Sequence, residues 1–367
     1  MDKKLIQEIP DNVFQFINEL NKDQIYLYQP SLSGVTENGK SLSLGFSCYA
    51  LKIYFMTGQW HNLDTAKKHN WINFINSFQV KKSKFPDNSF IDTEFLNAYN
   101  RMPIKNELKF FAKSFLNKTN LKKFDTKQVH LKKSINAETK QAISSLYQVN
   151  SKNLHKIALE YDSNQELESY LYNLDWSKPW TSGAQFSSLC VYSETQSLDF
   201  KEVLKSFSKK IANNQTGSYY IDTPDTPREI INGAMKVISG LDWINEEIHY
   251  PEKLIQYCIN NVPIMEGCDI VDFVYVLYMC SKQTDYKKKE VNKVLEDLLN
   301  DLLQLYHYKE GAFSYYKNMS QTHYYGIKIT EGNNTPDIHG TTLCLWALIM
   351  ILENLELSKD NLSTIKP

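Results

Sequence analysis

The chain has 367 residues, and its 41 Lys and Arg residues against 42 Asp and Glu residues give a formal net charge of −1. This balance provides no electrostatic basis for binding nucleic acid or an acidic membrane. Hydrophobic residues make up 42% of the chain, enough for a large core, and no apolar run reaches the length of a membrane span. The N-terminus lacks the apolar stretch of a signal peptide and the six cysteines are scattered, so we expect a soluble, cytoplasmic protein with reduced thiols.

Hydrophobic periodicity predicts helices along almost the whole chain, and two kinds of helix alternate. The first kind is apolar on all sides and rich in small residues, as in segments 42–58, 182–194, 228–241 and 268–282. The second kind carries one apolar stripe among lysines, as in segments 65–78, 104–116, 199–212, 251–261 and 287–306. An all-round apolar helix is typically buried, whereas a helix with one apolar stripe lies at the surface. The alternation therefore predicts an inner ring of helices wrapped by an outer ring.

Glycine-aromatic turns repeat before inner helices, as "QTGSYY" at 215–220 and "EGAFSYY" at 310–316. Their separation corresponds to a repeat of roughly 45 residues built from two helices, which is typical of helical arrays and of closed α/α rings. Apolar inner helices near both ends of the chain favour closure. We therefore predict an all-α fold, an α/α toroid of five to six helical hairpins, as a single domain over residues 1–367. A Lys-rich, less regular excursion is expected at about 117–164.

Three local patterns resemble those of terpenoid cyclases and protein prenyltransferases, whose repeats form such toroids. "DIHGTTLCLWAL" at 337–348 resembles the D-x-D-D-T-A helix start of squalene-hopene-type cyclases. "EGAFSYYKNMS" at 310–320 and "MEGCDIVDFVYVLYMC" at 265–280 are similar to segments of prenyltransferase β-chains, the second of which supplies zinc ligands there. The resemblance implies a central active-site cavity and a largely apolar, isoprenoid-like small-molecule substrate.

The sequence departs from both cyclase mechanisms. His339 replaces the Asp that would protonate an alkene, and an imidazole is a much weaker acid for that purpose. No D-D-x-x-D motif occurs, so the metal-diphosphate ionisation of the other cyclase class is not encoded. The prenyltransferase resemblance instead implies a zinc site whose ligands, carried over by position, would be Glu266, Cys268 and His339, with Asp269 as a substitute carboxylate.

Other candidate residues come from the sequence itself. Asp337 is either the N-cap of the last helix or part of an active site. Because Asp337 already suits the N-cap position, the start of the helix does not need His339, which makes His339 a candidate for function. The loop after the last outer helix contains His323, Tyr324 and Tyr325. A His and Tyr pair suits the acid and base of a carbohydrate epimerase, lyase or hydrolase.

Further candidates occur at the starts of other inner helices. Asp272 lies one turn inside an apolar helix, where a carboxylate needs a partner or a ligand. Trp176 and Trp180 form either stacking platforms for substrate or part of the core, Tyr220 lies in a glycine-aromatic turn, and Arg228 is free to bind an anion. Three functions remain open: an enzyme acting on an isoprenoid-like substrate, a carbohydrate-active enzyme, and a non-catalytic toroid that binds a ligand or protein.

Overall fold

The structure, a computed structural model, describes residues 3–81, 84–101, 126–159, 161, 163–262, 267–358 and 361–367. These residues form fifteen helices and four short hairpins. The helices are α1 (Lys3–Leu20), α2 (Glu37–Ser41), α3 (Leu44–Met56), α4 (Gln59–Asn62), α5 (Thr65–Asn76), α6 (Thr93–Asn100), α7 (Lys127–Gln148), α8 (Asn164–Asn173), α9 (Pro179–Thr195), α10 (Lys201–Ile211), α11 (Pro227–Trp243), α12 (Pro251–Asn260), α13 (Asp269–Ser281), α14 (Lys288–Leu303) and α15 (Ile338–Asn354).

Six helices form a closed inner ring. Helix α3 packs against α7, α7 against α9, α9 against α11, α11 against α13, α13 against α15, and α15 returns to α3. The helices α13 and α15 are buried along nearly their whole length, as expected for segments that are apolar on all sides. This closure confirms the predicted α/α toroid and gives six helical hairpins in the described part of the chain.

The outer helices cover the ring from outside. Helix α1 packs on α3 and α15, α5 on α3 and α7, α10 on α9, α12 on α13, and α14 on α13 and α15, while α8 packs on α10. Each outer helix buries one stripe. Helix α14, for example, buries five apolar residues at three- and four-residue spacing, Val291, Leu295, Leu298, Leu299 and Leu302.

The structure corrects the prediction for the Lys-rich segment. Residues 127–148 form α7, the longest helix described, and it is an inner helix of the ring rather than an exposed excursion. The helix is largely buried from Ser134 onwards, including Ile135, Ala142, Ile143 and Leu146. Residues 117–125, and the outer helix predicted at 104–116, lie outside the described residues. The single-domain prediction stays a prediction.

The four hairpins are antiparallel and short. Their strands are β1 (Asn21–Lys22), β2 (Gln24–Tyr28), β3 (Gln79–Val80), β4 (Ser89–Phe90), β5 (Tyr306–His307), β6 (Ala312–Phe313), β7 (His323–Tyr324) and β8 (Ile327–Lys328). The last two hairpins belong to the connection between α14 and α15, and β8 also contacts α2 and α6. None of the helices described is long and apolar enough to cross a membrane.

Candidate functional site

A cavity of about 420 Å³ lies at the centre of the ring. All six inner helices contribute to its walls, together with the connection before α15 and residues near the end of the chain. Its volume falls in the range of small-molecule sites. The lining includes ionisable, amide and aromatic side chains, among them Tyr49, Lys52, Lys140, Gln141, Lys236, Cys268, Asp272, Gln321, Tyr324, Tyr325, His339 and Trp346.

Three lysines reach this cavity from three different inner helices: Lys52 from α3, Lys140 from α7 and Lys236 from α11. Lys236 forms an ion pair with Asp272 of α13, with 3.2 Å between Nζ and Oδ1. Asp272 is 1% exposed, and its Oδ2 has no hydrogen-bond partner. Burial raises the pKa of Asp272 to about 6, and the ammonium of Lys236 opposes that effect. Among the described residues, one acidic side chain therefore lines the cavity together with three amines.

The other two lysines are held without a carboxylate partner among the described residues. Lys140 donates a hydrogen bond to Oγ of Ser187 at 2.7 Å. Burial lowers the pKa of Lys140 to about 7, and the charges of Lys236 and Lys52 lower it further. Burial lowers the pKa of Lys52 to about 8. An anion entering the cavity would stabilise the protonated form of both amines.

His339 borders the cavity in the first turn of α15. Its ring stacks on Tyr49, with centroids 4.5 Å apart, and lies 5.0 Å from the ring of Tyr315. Burial, then the charges of Lys52 and Lys236, lower the pKa of His339 to about 3, so the imidazole is neutral at physiological pH. Its buried Nδ1 has no hydrogen-bond partner. The ring is thus fixed by stacking, with one nitrogen uncommitted.

The β7–β8 hairpin delivers two tyrosines to the same cavity. Its turn is Tyr325-Gly326, and both residues have positive φ, 44° and 87°. Positive φ at a bulky residue is strained, and such strain concentrates at functional sites. The turn places Tyr324 and Tyr325 in the cavity wall, with their rings 4.6 Å apart.

The hydroxyl of Tyr324 is positioned by a buried acid behind it. It donates to Oε1 of Glu138 on α7 at 2.9 Å, whereas Oε2 of Glu138 has no partner. Burial, with the charge of Asp92, raises the pKa of Glu138 to about 8, so this carboxyl is mostly protonated at neutral pH. Gly45 makes room for the pair, because a Cβ at that position would lie 2.2 Å from the Tyr324 hydroxyl.

Asp337 is a structural residue in this arrangement. Its Oδ1 accepts the backbone N–H of Gly340 at 2.8 Å and so caps α15. Its Oδ2 accepts the backbone N–H groups of Tyr315 and Gln321, at 2.7 and 3.0 Å. Both oxygens are therefore occupied by backbone N–H groups, which favours the cap over the catalytic role that was the alternative for Asp337. The cap nevertheless serves the cavity, since it holds Gln321 and His339 in place.

Several predicted residues do not line the cavity. The exposed side chain of His323 lies on β7, where alternation turns it away from the face that Tyr324 presents. Trp176 is buried in the core, where its Nε1 donates to the carbonyl of Leu171. Tyr220 is buried, and its hydroxyl bonds to that of Thr216. These positions do not support the predicted catalytic or substrate-binding roles.

Arg228 and Trp180 lie together outside the cavity lining. Arg228 forms an ion pair with Asp269 at 2.9 Å, and its guanidinium lies over the ring of Trp180, 5.4 Å from the centroid. Asp269 also accepts from Asn232 at 2.7 Å. The ion pair with Asp269 does not favour the predicted anion binding by Arg228, which stays a prediction.

The same contacts do not support the zinc site that the resemblance implied. Asp269 is held by Arg228 and Asn232, and the Sγ of Cys268 hydrogen-bonds the hydroxyl of Tyr315 at 3.0 Å. Burial, with the charge of Asp272, raises the pKa of the Cys268 thiol to about 11, which disfavours the thiolate that a metal needs. Among the described residues no group of three His, Cys, Asp or Glu side chains is placed to hold a metal ion. Glu266 lies outside the described residues.

The cavity thus brings together His339, Tyr324, Tyr325, Asp272 and Cys268 from the predicted set. Their roles stay predictions. Sequence reasoning missed a second group, Lys52, Lys140, Lys236 and Glu138. A signal was present for Lys52 and Lys236, since each is the only charged residue in the middle of an otherwise apolar inner helix.

A scan against protein-family models and a search of curated proteins give no match. A search of solved structures finds similarity to a polysaccharide lyase, with a TM-score of 0.46 and 13% sequence identity, over 96% of this chain and 98% of that chain. A similarity this low supports no argument about activity. The toroid rests on the closed ring of helices, and the finer resemblance to terpenoid cyclases and prenyltransferases gains no support here.

Proposed function

We propose that the protein is a carbohydrate-active enzyme that binds an acidic saccharide in the central cavity and cleaves it by elimination. The observation that carries this proposal is the convergence in one cavity of three lysine amines with the neutral imidazole of His339 and the hydroxyl of Tyr324. The proposal replaces the isoprenoid-like substrate implied by the resemblance with the carbohydrate alternative.

The charges of the cavity favour an anionic ligand. Lys52, Lys140 and Lys236 face one carboxylate, that of Asp272, and Lys236 alone is paired with it. Buried ammonium groups without partners are costly, so a site of this kind gains free energy when a carboxylate enters. A uronate sugar offers that carboxylate together with hydroxyls for Gln141, Gln185 and Gln321, which also line the cavity.

The acid–base groups favour elimination over hydrolysis. Most glycoside hydrolases use two carboxyl groups across the scissile bond. Asp272 contributes the only acidic side chain to the lining formed by the described residues, and Lys236 occupies one of its oxygens. Elimination next to a uronate carboxylate requires instead a cation to neutralise the carboxylate, a base and an acid. Lysine, histidine and tyrosine can supply these three functions.

The proposed step balances without water. Lys52 or Lys236 pairs with the uronate carboxylate, which makes the proton on C5 more acidic. His339 takes that proton through its free nitrogen, the C4–O4 bond breaks with its electron pair on O4, and a C4=C5 double bond forms. Tyr324 donates a proton to O4, and Glu138 returns one to Tyr324. Burial is the main cause of the low pKa of His339, and a bound carboxylate would offset the smaller part that Lys52 and Lys236 contribute.

A second ligand class suits the same lysines. The diphosphate of an isoprenoid is also an anion, and three lysine amines would bind it. The neutral His339 and the Tyr324–Glu138 pair have no evident task in that case. We therefore place the isoprenoid diphosphate second, and the proposed experiment includes it.

The experiment incubates the full chain with uronate-containing polysaccharides and with neutral glucans, and records the ultraviolet absorbance of the conjugated C4=C5 double bond. We expect absorbance to rise only with uronate substrates, and to be lost in Lys236→Met but not in the surface variant Lys209→Met. Inorganic diphosphate serves as a competitor. New reducing ends without the double bond would contradict elimination, and binding of a prenyl diphosphate without any saccharide turnover would favour the second ligand class.

A further inference from the structure

Lys140 differs from the other two cavity lysines in its surroundings. Its Nζ donates to the hydroxyl of Ser187, which in turn shares a 2.8 Å hydrogen bond with Ser239. Among the described residues no carboxylate lies within ion-pair distance of Lys140, whereas Lys236 has Asp272 at 3.2 Å. The hydroxyl groups of Ser187 and Ser239 therefore orient the amine, and no carboxylate among the described residues pairs with it.

The groups around Lys140 favour its uncharged form. Lys52 on α3 and Lys236 on α11 repel a third ammonium, and Asp272 on α13 and Cys190 on α9 oppose them only in part. Burial has the largest effect, and together these causes lower the pKa of Lys140 to about 7. At neutral pH the fraction of uncharged amine is then about a thousand times that of an ordinary lysine. A desolvated lysine beside other cations is the environment in which an amine becomes a nucleophile.

We propose that Lys140 forms a reversible imine with the carbonyl carbon of a small 2-oxo acid bound in the central cavity. Nζ attacks the carbonyl carbon and forms the N–C bond. The carbonyl oxygen leaves as water with the two protons of the amine, and a C=N bond results. Ser187 accepts and returns a proton during the loss of water. Lys52 and Lys236 bind the carboxylate of the oxo acid, which sets the ligand class.

This inference stands apart from the proposed saccharide cleavage, because it needs only the cavity, the lysine cluster and the hydroxyl pair. A protein that fails to cleave any uronate can still form the imine. Conversely, an active lyase can lack a reactive Lys140. Separate readouts therefore distinguish the two failures.

The test uses the full chain, pyruvate as the 2-oxo acid and sodium cyanoborohydride as the reductant that converts the imine to a stable secondary amine. Peptide mapping by mass spectrometry locates the adduct. We expect Lys140 to be the dominant site in the wild type, with the adduct lost in Lys140→Arg and kept in Lys209→Met. Because mapping the wild type requires no variant, the result does not depend on whether Lys140→Arg folds.

Two comparisons sharpen the result. Acetone, a carbonyl compound without a carboxylate, should label Lys140 far less than pyruvate does. The rate of labelling by pyruvate should rise through about pH 7 and then level, while labelling of exposed lysines keeps rising. Label spread over surface lysines with little at Lys140 would overturn the proposal, and equal labelling by acetone and pyruvate would overturn the oxo-acid class.

Discussion

Removing the charge of Lys140 should stabilise the fold, and more so in acid than in base. The folded protein holds this amine at a pKa of about 7, against the ordinary value of 10.5 that applies to the unfolded chain. Between these values the unfolded state binds more protons, so the wild type gains stability as pH rises. This difference in pKa lowers the free energy of unfolding of the wild type by about 5 kcal/mol at about pH 6 and by about 2 kcal/mol at about pH 9, from 1.36 kcal/mol per pKa unit.

The variant Lys140→Met keeps the length of the side chain and removes the charge. Loss of the hydrogen bond to Ser187 costs about 1 kcal/mol at either pH and cancels when the two are compared. Urea denaturation of wild type and variant at both pH values gives the free energies of unfolding. We expect Lys140→Met to exceed the wild type by about 3 kcal/mol more at pH 6 than at pH 9.

The exposed Lys209 on α10 supplies the matched control, and Lys209→Met should change stability equally at both pH values. A Lys140→Met variant that is destabilised at both pH values, or whose effect is the same at both, would refute the reasoning. A stabilised variant that also loses anion binding would show that the lysine is kept for function at a cost in stability.

Further predictions concern the other cavity residues. Binding of a uronate oligosaccharide, measured by calorimetry, should weaken above about pH 8, as Lys52 and Lys140 lose their protons; affinity that rises with pH would contradict a cationic site. Tyr324→Phe should lower turnover by about 10²–10⁴-fold if Tyr324 donates a proton, and unchanged turnover would remove it from the mechanism. Asp272→Asn should gain stability relative to the wild type between about pH 4 and pH 8, because burial raises the pKa of Asp272 to about 6 and the fold disfavours its ionised form; urea titrations that show the same difference at both pH values would contradict this.

The ring itself was predictable because its signal is local. Segments 42–58 and 268–282 are apolar on all sides, and the structure makes them α3 and α13 of the inner ring. Segment 287–306 has one apolar stripe and forms the outer helix α14. The hydrophobic pattern within each of these helices is therefore enough to predict whether it lies in the inner or the outer ring.

Helix α7 was missed for a physical reason that involves the cavity. Its inner face places Lys140, Gln141 and Ser144 towards the ring centre, where a polar lining suits a ligand. A polar face of this kind has the pattern of a surface helix, although it faces inward. Hydrophobic periodicity shows that a helix has a polar and an apolar face, but it does not show whether the polar face meets solvent or lines a cavity.

The contacts between site residues that lie far apart in the chain could not be predicted from the sequence either. Nothing near Tyr324 in the chain indicates that Glu138, 186 residues away, lies behind its hydroxyl. The ion pair of Arg228 with Asp269 likewise joins two helices. The role of Asp337 could be read correctly as a cap, since an Asp before an apolar helix is sufficient for it.

The central claim is that the imidazole in the ring cavity takes part in cleavage of an acidic saccharide. His339 and His323 offer a matched pair, since His339 borders the cavity and His323 lies exposed on the adjacent hairpin. The most direct measurement is the eliminative turnover of a uronate substrate by His339→Ala and His323→Ala, with the melting temperature of each. We expect His339→Ala to lose turnover while keeping its fold, and His323→Ala to retain both. Equal turnover in the two variants, or loss in His323→Ala alone, would contradict it.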